Sequence, residues 1–379
     1  MVDRNRYLPV FPLVKGKTVK QAHAGFKEID GIPTYEHEHG RQGFFGKVSH
    51  LYHKNPPTDF TKIDGPFKPY MIDSNKATPT DKTDPWGSPL TIMENADLKI
   101  RISMRSEPMP FYYKSTDSDD IWFVHQGKGV METIYGPLNF ERGDYIVIPR
   151  GTIYRLVPET RDNHFLLIES TEEVQIPDRG MLGPTALFDP AILETPEPQP
   201  IDDDREWVVR YKRQGQYTHF THPHNPIDVI GWKGDVTPFK LSIKDFRPVN
   251  SHRYHLPPSV HTTWISQGFV VCSFVPRPYE SSEDALKIPF FHSNVEYDEV
   301  IFYHQGDFMS RDNVGEGYIS FHPGGFTHGP HPKALKRAFK QDKPMTDEYA
   351  VMIDARRPLN ISKELGEALI EDYWKSWQE

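Results

Sequence analysis

The feature that most constrains this chain is an internal repeat. His125-Gln-Gly127 and His304-Gln-Gly306 each follow an aromatic-aliphatic run and precede a turn. Downstream, Gly143-Asp-Tyr-Ile-Val-Ile-Pro149-Arg-Gly151-Thr-Ile-Tyr154 matches Gly317-Tyr-Ile-Ser-Phe-His-Pro323-Gly-Gly325-Phe-Thr-His328 position by position. Upstream, His292-Ser-Asn294, four residues, Glu299, six residues and Gly306 match Tyr113-Lys-Ser115, four residues, Asp120, six residues and Gly127. A repeat of this kind means duplicated architecture, so the two halves should share one fold.

With 379 residues the chain is the right length for two fused domains. Its 35 prolines and 26 glycines, with few long helix-period segments, favour an all-β fold rich in turns. Strands are expected at 98–102, 144–148, 164–168, 268–275 and 299–303, most flanked by Gly, Pro or Asp/Asn. Only the tail, Ser362 to Lys375, reads as an amphipathic helix, with Ser362 as its N-cap. The Pro-rich acidic stretch 194–204 packs poorly and suits a linker. It divides the chain into an N-terminal half, 1–193, and a C-terminal half, 205–379.

A net charge of −9 offers no basic face for nucleic acid. No run approaches ~20 apolar residues, and Met1 to Pro12 carries Asp and Arg where a secretory leader needs an apolar centre, so no membrane partner and a soluble, cytoplasmic protein are expected. The single cysteine, Cys272, excludes an internal disulfide or a cysteine metal cage and reads as a small buried residue.

The repeated frame resembles the two sequence motifs of the cupin superfamily, small jelly-roll barrels. The resemblance implies an all-β bicupin: two jelly-roll barrel-like halves with a short C-terminal helix. Cupin ligands follow the order His-x-His, Glu, His; here Asn294 replaces the second His, leaving His292, Glu299 and His328. Two imidazoles and one carboxylate on one face of an octahedral ion leave adjacent positions open, the arrangement of non-haem iron(II) oxygenases. His292 and Glu299 are seven residues apart, an odd offset that puts them on opposite faces of one strand, so a turn must intervene. Glu299, rather than Asp298, keeps the same six-residue distance to Gly306 that Asp120 keeps to Gly127. In the first half Tyr113, Asp120 and Tyr154 hold the ligand positions, a poor divalent-metal set, and that half reads as scaffold.

Across 217–331 the chain is similar to the homogentisate 1,2-dioxygenase family. The resemblance is carried by Asn225-Pro-Ile-Asp-Val-Ile-Gly-Trp232, Thr237-Pro-Phe239, Pro248-Val-Asn-Ser251, Phe291-His-Ser-Asn294 and Thr327-His-Gly-Pro330. It implies Fe(2+) as cofactor, held by His292, Glu299 and His328. It also implies His255 as the base toward a ring hydroxyl and His322 as a substrate contact. The substrates would be a small aromatic acid and O2, and the assembly a homo-oligomer, trimer or hexamer. Phe308 stands at the substrate-binding position where the family has a pocket Tyr, with Tyr303 and His331 as candidate replacement donors. Another hydroquinone acid such as gentisate, or a metal-binding cupin without oxygenase activity, remain the alternative readings. The His-rich stretches 35–39 and 219–224 lie outside the motif frame and read as loop or subunit-contact residues, with a pocket-lining role the alternative for the second.

Overall fold

A computed structural model describes residues 14–25 and 28–378, so the leader reading of Met1 to Pro12 lies outside the described residues. Each expected strand forms: Leu98–Ser103, Asp144–Ile148, His164–Ser170, Phe269–Phe274 and Asp298–Asp307. They belong to two barrels, each with a seven-stranded sheet, closed by a six-stranded sheet in the first barrel and a three-stranded one in the second.

The near-continuous apolar strands are explained by how the barrels meet. On Asp144–Ile148, Tyr145 and Val147 join a core shared with Val300, Phe302, Val351 and Ile353 of the second barrel. Ile146 and Ile148 turn the other way, into the interior of the first barrel with Trp122, Tyr154 and Leu167. The two seven-stranded sheets therefore pack face to face, and strands buried on both sides lose the usual apolar–polar alternation. The repeat also shows in three dimensions. His125 and His304, equivalent in the two halves, meet across this interface with their Nδ1 atoms 2.9 Å apart. Burial pushes His125 down to about 2 and His304 to about 3, so both stay neutral. The motif glycines earn their places in the same way in both halves: Gly127 and Gly306 have φ of 110° and 101°, and a Cβ on either would sit 2.1 or 2.0 Å from Asn163 or Asp347.

The sheets do not divide at 194–204. Strands Trp207–Arg213, Gln216–His222 and Phe239–Ser242 all follow that stretch yet belong to the first barrel. Conversely Tyr35–Gly40, Val48–His53 and Tyr70–Asp73 lie in the N-terminal half and complete the second. Each barrel borrows strands from the other side of the chain, because an open sheet edge is satisfied by any strand that can reach it.

The tail also differs from its helical expectation. Ser362 does cap, accepting from the Glu364 amide, but the 3-10 helix Lys363–Ala368 breaks at Gly366, where φ is 50° and ψ −125°. Leu369–Ile370 then pairs with Tyr70–Asp73, and a second 3-10 turn, Tyr373–Trp377, buries Tyr373 and Trp377. Backbone pairing to a free sheet edge wins over the helical period. The α-helix instead runs over Pro332–Ala338. Among the described residues no helix is long and apolar enough to cross a membrane.

Candidate metal centre

His292 lies on Phe291–Asn294 and Glu299 is the second residue of Asp298–Asp307, with the required turn between. His328 follows the strand Tyr318–His322 through the Pro323-Gly-Gly325 turn. His292 and His328 face one another in a reciprocal backbone bridge, N to O 2.9 and 3.0 Å. Their equivalents Tyr113 and Tyr154 pair the same way in the first barrel. The repeat thus conserves a backbone scaffold while the side chains on it differ.

The side chains converge. Nε2 of His292 lies 3.4 Å from Oε2 of Glu299, and Nε2 of His328 lies 3.3 Å from its Oε1. Both histidines direct Nδ1 at a carbonyl two residues back, Phe290 and Phe326, each at 2.9 Å. A carbonyl only accepts, so Nδ1 carries the proton and Nε2 presents its lone pair toward the carboxylate. The Nε2 of His328 is buried without a hydrogen-bond partner. Donor separations near those between neighbouring ligands of an ion bound at ~2.1 Å, together with oriented lone pairs, fit a divalent transition metal. Burial pushes the Glu299 carboxyl up, but His328 and the contacts with His292 and His322 outweigh it and hold Glu299 well below the ordinary carboxylate range. Burial, then His292, lowers His328.

Strand alternation explains why Glu299 and not Asp298 faces this centre. Glu299, Ile301 and Tyr303 share one face and line a cavity, whereas Val300 and Phe302 enter the inter-barrel core. Asp298 points away and accepts from the amides of Gly324 and Leu359, both at 2.7 Å. Asp298→Ala should therefore retain the metal but cost about 1–3 kcal/mol for amides left unpaired. Denaturant unfolding with metal analysis checks this, and loss of the metal in that variant would contradict it.

The cavity, of about 60 Å³ and partly open to solvent, is bounded by Phe44, Phe290, His292, Glu299, Tyr303 and Arg311, among others. His255 also lines it; its Nδ1 contacts Oε1 of Glu280 at 2.9 Å, leaving Nε2 for a ligand. Burial lowers His255, and the Glu280 carboxylate pulls it partly back. His322 does not line the cavity. It is fully buried behind the carboxylate, donating from Nδ1 to Oε1 of Glu299 at 2.8 Å. In this position its contact is with Glu299 rather than with the cavity. Phe308 is likewise off the cavity wall, packed with Met71, Tyr373 and Trp377 and edge-on to Tyr303. Tyr303 is the hydroxyl on the wall, 3.0 Å from Ser320 Oγ, while His331 is buried elsewhere, accepting from the Asp312 amide. Asn294, in place of the second cupin His, accepts from the Gly43 amide at 2.8 Å.

Sequence reasoning missed Arg311 and Glu280. The Arg311 guanidinium is buried beside the cavity, donates to the carbonyls of Gly329 and Ser310, and has no carboxylate within ion-pair distance among the described residues; its Nε has no partner. A lone Arg outside any motif carries no signal that could have found it.

In the first barrel charge fills the corresponding place. Tyr154 donates to Asp120 at 3.0 Å, and Glu169, opposite Asp120, is bound at 2.6 Å by both Arg101 and Lys212. Burial and the neighbouring Glu169 charge push Asp120 up. Both cations pair with Glu169, while Asp120 accepts from Ser118 and Tyr154. Of the His-rich stretches, 35–39 is no loop: it forms Tyr35–Gly40, parallel to the strand of His292. Residues 219–222 belong to the exposed strand Gln216–His222, where His219 accepts from Arg210.

A duplicated barrel with two histidines and a carboxylate converging beside a cavity in the second barrel defines a bicupin with a candidate metal centre. The family model for the N-terminal region of homogentisate 1,2-dioxygenase matches residues 91–243, and that for the C-terminal region matches 244–379. This chain belongs to the homogentisate 1,2-dioxygenase family, a family of dioxygenases. The boundary between the two matches falls just after Phe239–Ser242, a strand of the first barrel, and before Thr262–Ile265, a strand of the second. A protein of Saccharolobus solfataricus provisionally named a dioxygenase is 30% identical over 97% of this chain and 99% of its own length. The homogentisate 1,2-dioxygenases of Nitrobacter hamburgensis and Bradyrhizobium diazoefficiens are 29% and 27% identical over 68% and 70% of the chain. The aligned region spans 61% and 62% of those two proteins.

Proposed function

We infer that this chain is an iron(II)-dependent ring-cleaving dioxygenase for a hydroquinone-type aromatic acid, with homogentisate as substrate and maleylacetoacetate as product. That reaction places it in the cytoplasmic breakdown of tyrosine and phenylalanine. The observation that carries the reading is the convergence of His292, Glu299 and His328 beside a largely apolar cavity that also holds His255 and Arg311. Bound there, iron(II) would supply the electronic route by which the aromatic ring and dioxygen react.

The chain's own residues do the rest. Phe44 and Phe290 give the cavity apolar walls that hold a flat ring and exclude water. Arg311, cationic and without a carboxylate partner, suits a substrate carboxylate, since a buried guanidinium is costly until paired. His255, fixed by Glu280, offers Nε2 to a ring hydroxyl and can take its proton as the substrate binds. His322 holds the Glu299 carboxylate in place while this happens.

Phe308 supports a second reading, a different hydroquinone acid. It supplies no hydroxyl where the family has one, and Tyr303 stands on the wall instead. Oxygen uptake by the iron-loaded chain decides between them. Homogentisate should have the highest kcat/KM among dihydroxyaromatic acids. A roughly tenfold preference for gentisate or another acid, about 1.4 kcal/mol in transition-state binding, would overturn the substrate. No uptake with any of them would overturn the oxygenase reading.

A further inference from the structure

The described residues contain a second convergence of two histidines and a carboxylate: His23, Glu36 and His50. It lies outside the cavity, where the loop carrying His23 meets the hairpin formed by Tyr35–Gly40 and Val48–His53. Oε1 of Glu36 is 2.7 Å from Nδ1 of His23 and 3.9 Å from Nδ1 of His50. On the far side, Oε2 of Glu38 is 3.4 Å from Nε2 of His23 and 3.1 Å from Nε2 of His50. Each imidazole therefore has a carboxylate at both ends. If the Nε2–H groups donate to Glu38, both Nδ1 lone pairs are left facing Glu36, the arrangement in which an outer carboxylate fixes a histidine for metal binding.

Two further observations point to a cation. Glu36 is 4% exposed, and its second oxygen, Oε2, is buried without a hydrogen-bond partner. No lysine or arginine is among the ion-pair partners of Glu36 or Glu38 within the described residues. Two buried carboxylates served by imidazoles and, for Glu36, by the His23 amide at 2.9 Å, with no fixed cation beside them, need either added protons or a metal charge.

We propose that His23, His50 and Glu36 bind a second divalent ion of the zinc type, oriented by Glu38. Imidazole with carboxylate suits Zn, Co or Ni rather than Mg or Ca. Its role is structural. It ties the loop at 23 to the hairpin whose first strand runs parallel to the strand of His292. The His23 ring also stacks on Phe290, centroids 3.6 Å apart and 3° from parallel, and the Phe290 carbonyl anchors Nδ1 of His292. A clip here steadies one wall of the cavity.

Titration of the metal-free, untagged chain with Co(II), followed by visible absorption and equilibrium dialysis, tests this. The wild type should bind two equivalents, and His292→Ala and Glu36→Gln one each. The double variant should bind none. Co(II) should also raise the Tm of His292→Ala, and Glu36→Gln in that background should abolish the rise. His50→Gln, at a half-buried position, provides the same test should Glu36→Gln fold poorly. No binding by His292→Ala, or binding by His292→Ala that survives Glu36→Gln, overturns the proposal and leaves His23 as an imidazolium held between two carboxylates. Because His292→Ala isolates the second site, the result is independent of whether the cavity binds iron or cleaves rings.

Discussion

If the cavity site takes iron as proposed, alanine at His292, Glu299 or His328 is expected to abolish both iron binding and oxygen uptake, while the barrels stay folded. Each residue supplies one of three converging donors, and a two-point site cannot hold a labile divalent ion at working concentrations. The loss should be total rather than graded, in contrast to the retained metal expected for Asp298→Ala one position away. The fold should survive because the bridge between His292 and His328 is made by their backbones, not their side chains. Iron analysis alongside circular dichroism separates the outcomes. Iron retained in Glu299→Ala and lost in Asp298→Ala would move the centre by one residue. Iron lost from a variant of Tyr113, Asp120 or Tyr154 would end the scaffold reading of the first barrel. His322→Ala should weaken iron binding by about 10–100-fold rather than alter substrate preference, since it braces Glu299 from behind.

Turnover in His255→Ala should fall by roughly 10²-fold or more with iron and fold intact, the usual size of a lost acid-base contribution. Activity should recover in part at high pH, where the substrate hydroxyl ionises without help. The pH dependence of the wild type has a definite sign. A base must be neutral to accept a proton, so kcat/KM falls as pH drops through the pKa of His255. Burial lowers that pKa from 6.5, so the acid limb lies on the low side of the ordinary histidine value. Glu280 works in the opposite direction, stabilising the protonated ring from 2.9 Å. Glu280→Gln should therefore shift the acid limb further down, an effect that a purely structural role for His255 would not produce. A wild-type rate in His255→Ala would remove it from the chemistry. An unshifted limb in Glu280→Gln would remove Glu280 from its support.

The sequence by itself determined the local and periodic features. Matched spacing in the two halves fixed the duplication, and strand runs bounded by Gly and Pro fixed the β elements, because both are written in short-range residue order. The candidate ligand trio was legible for the same reason. His292, Glu299 and His328 sit at set distances from Gly306, Pro323 and Gly325, whose turns aim them.

Only the tertiary structure decided what depends on pairing between distant segments. The strands that complete each barrel come from the other side of the Pro-rich stretch, since a sheet edge takes whichever strand reaches it. The tail gave up a helical period for a two-residue pairing with Tyr70–Asp73. His322 and Phe308 kept their places in the motif yet face away from the cavity. Arg311 and Glu280, which no motif marks, face it or support what does. Burial is the physical reason: whether a charged or polar side chain reaches a ligand, a carboxylate or a core is set by what packs around it, and that information is spread across the whole chain.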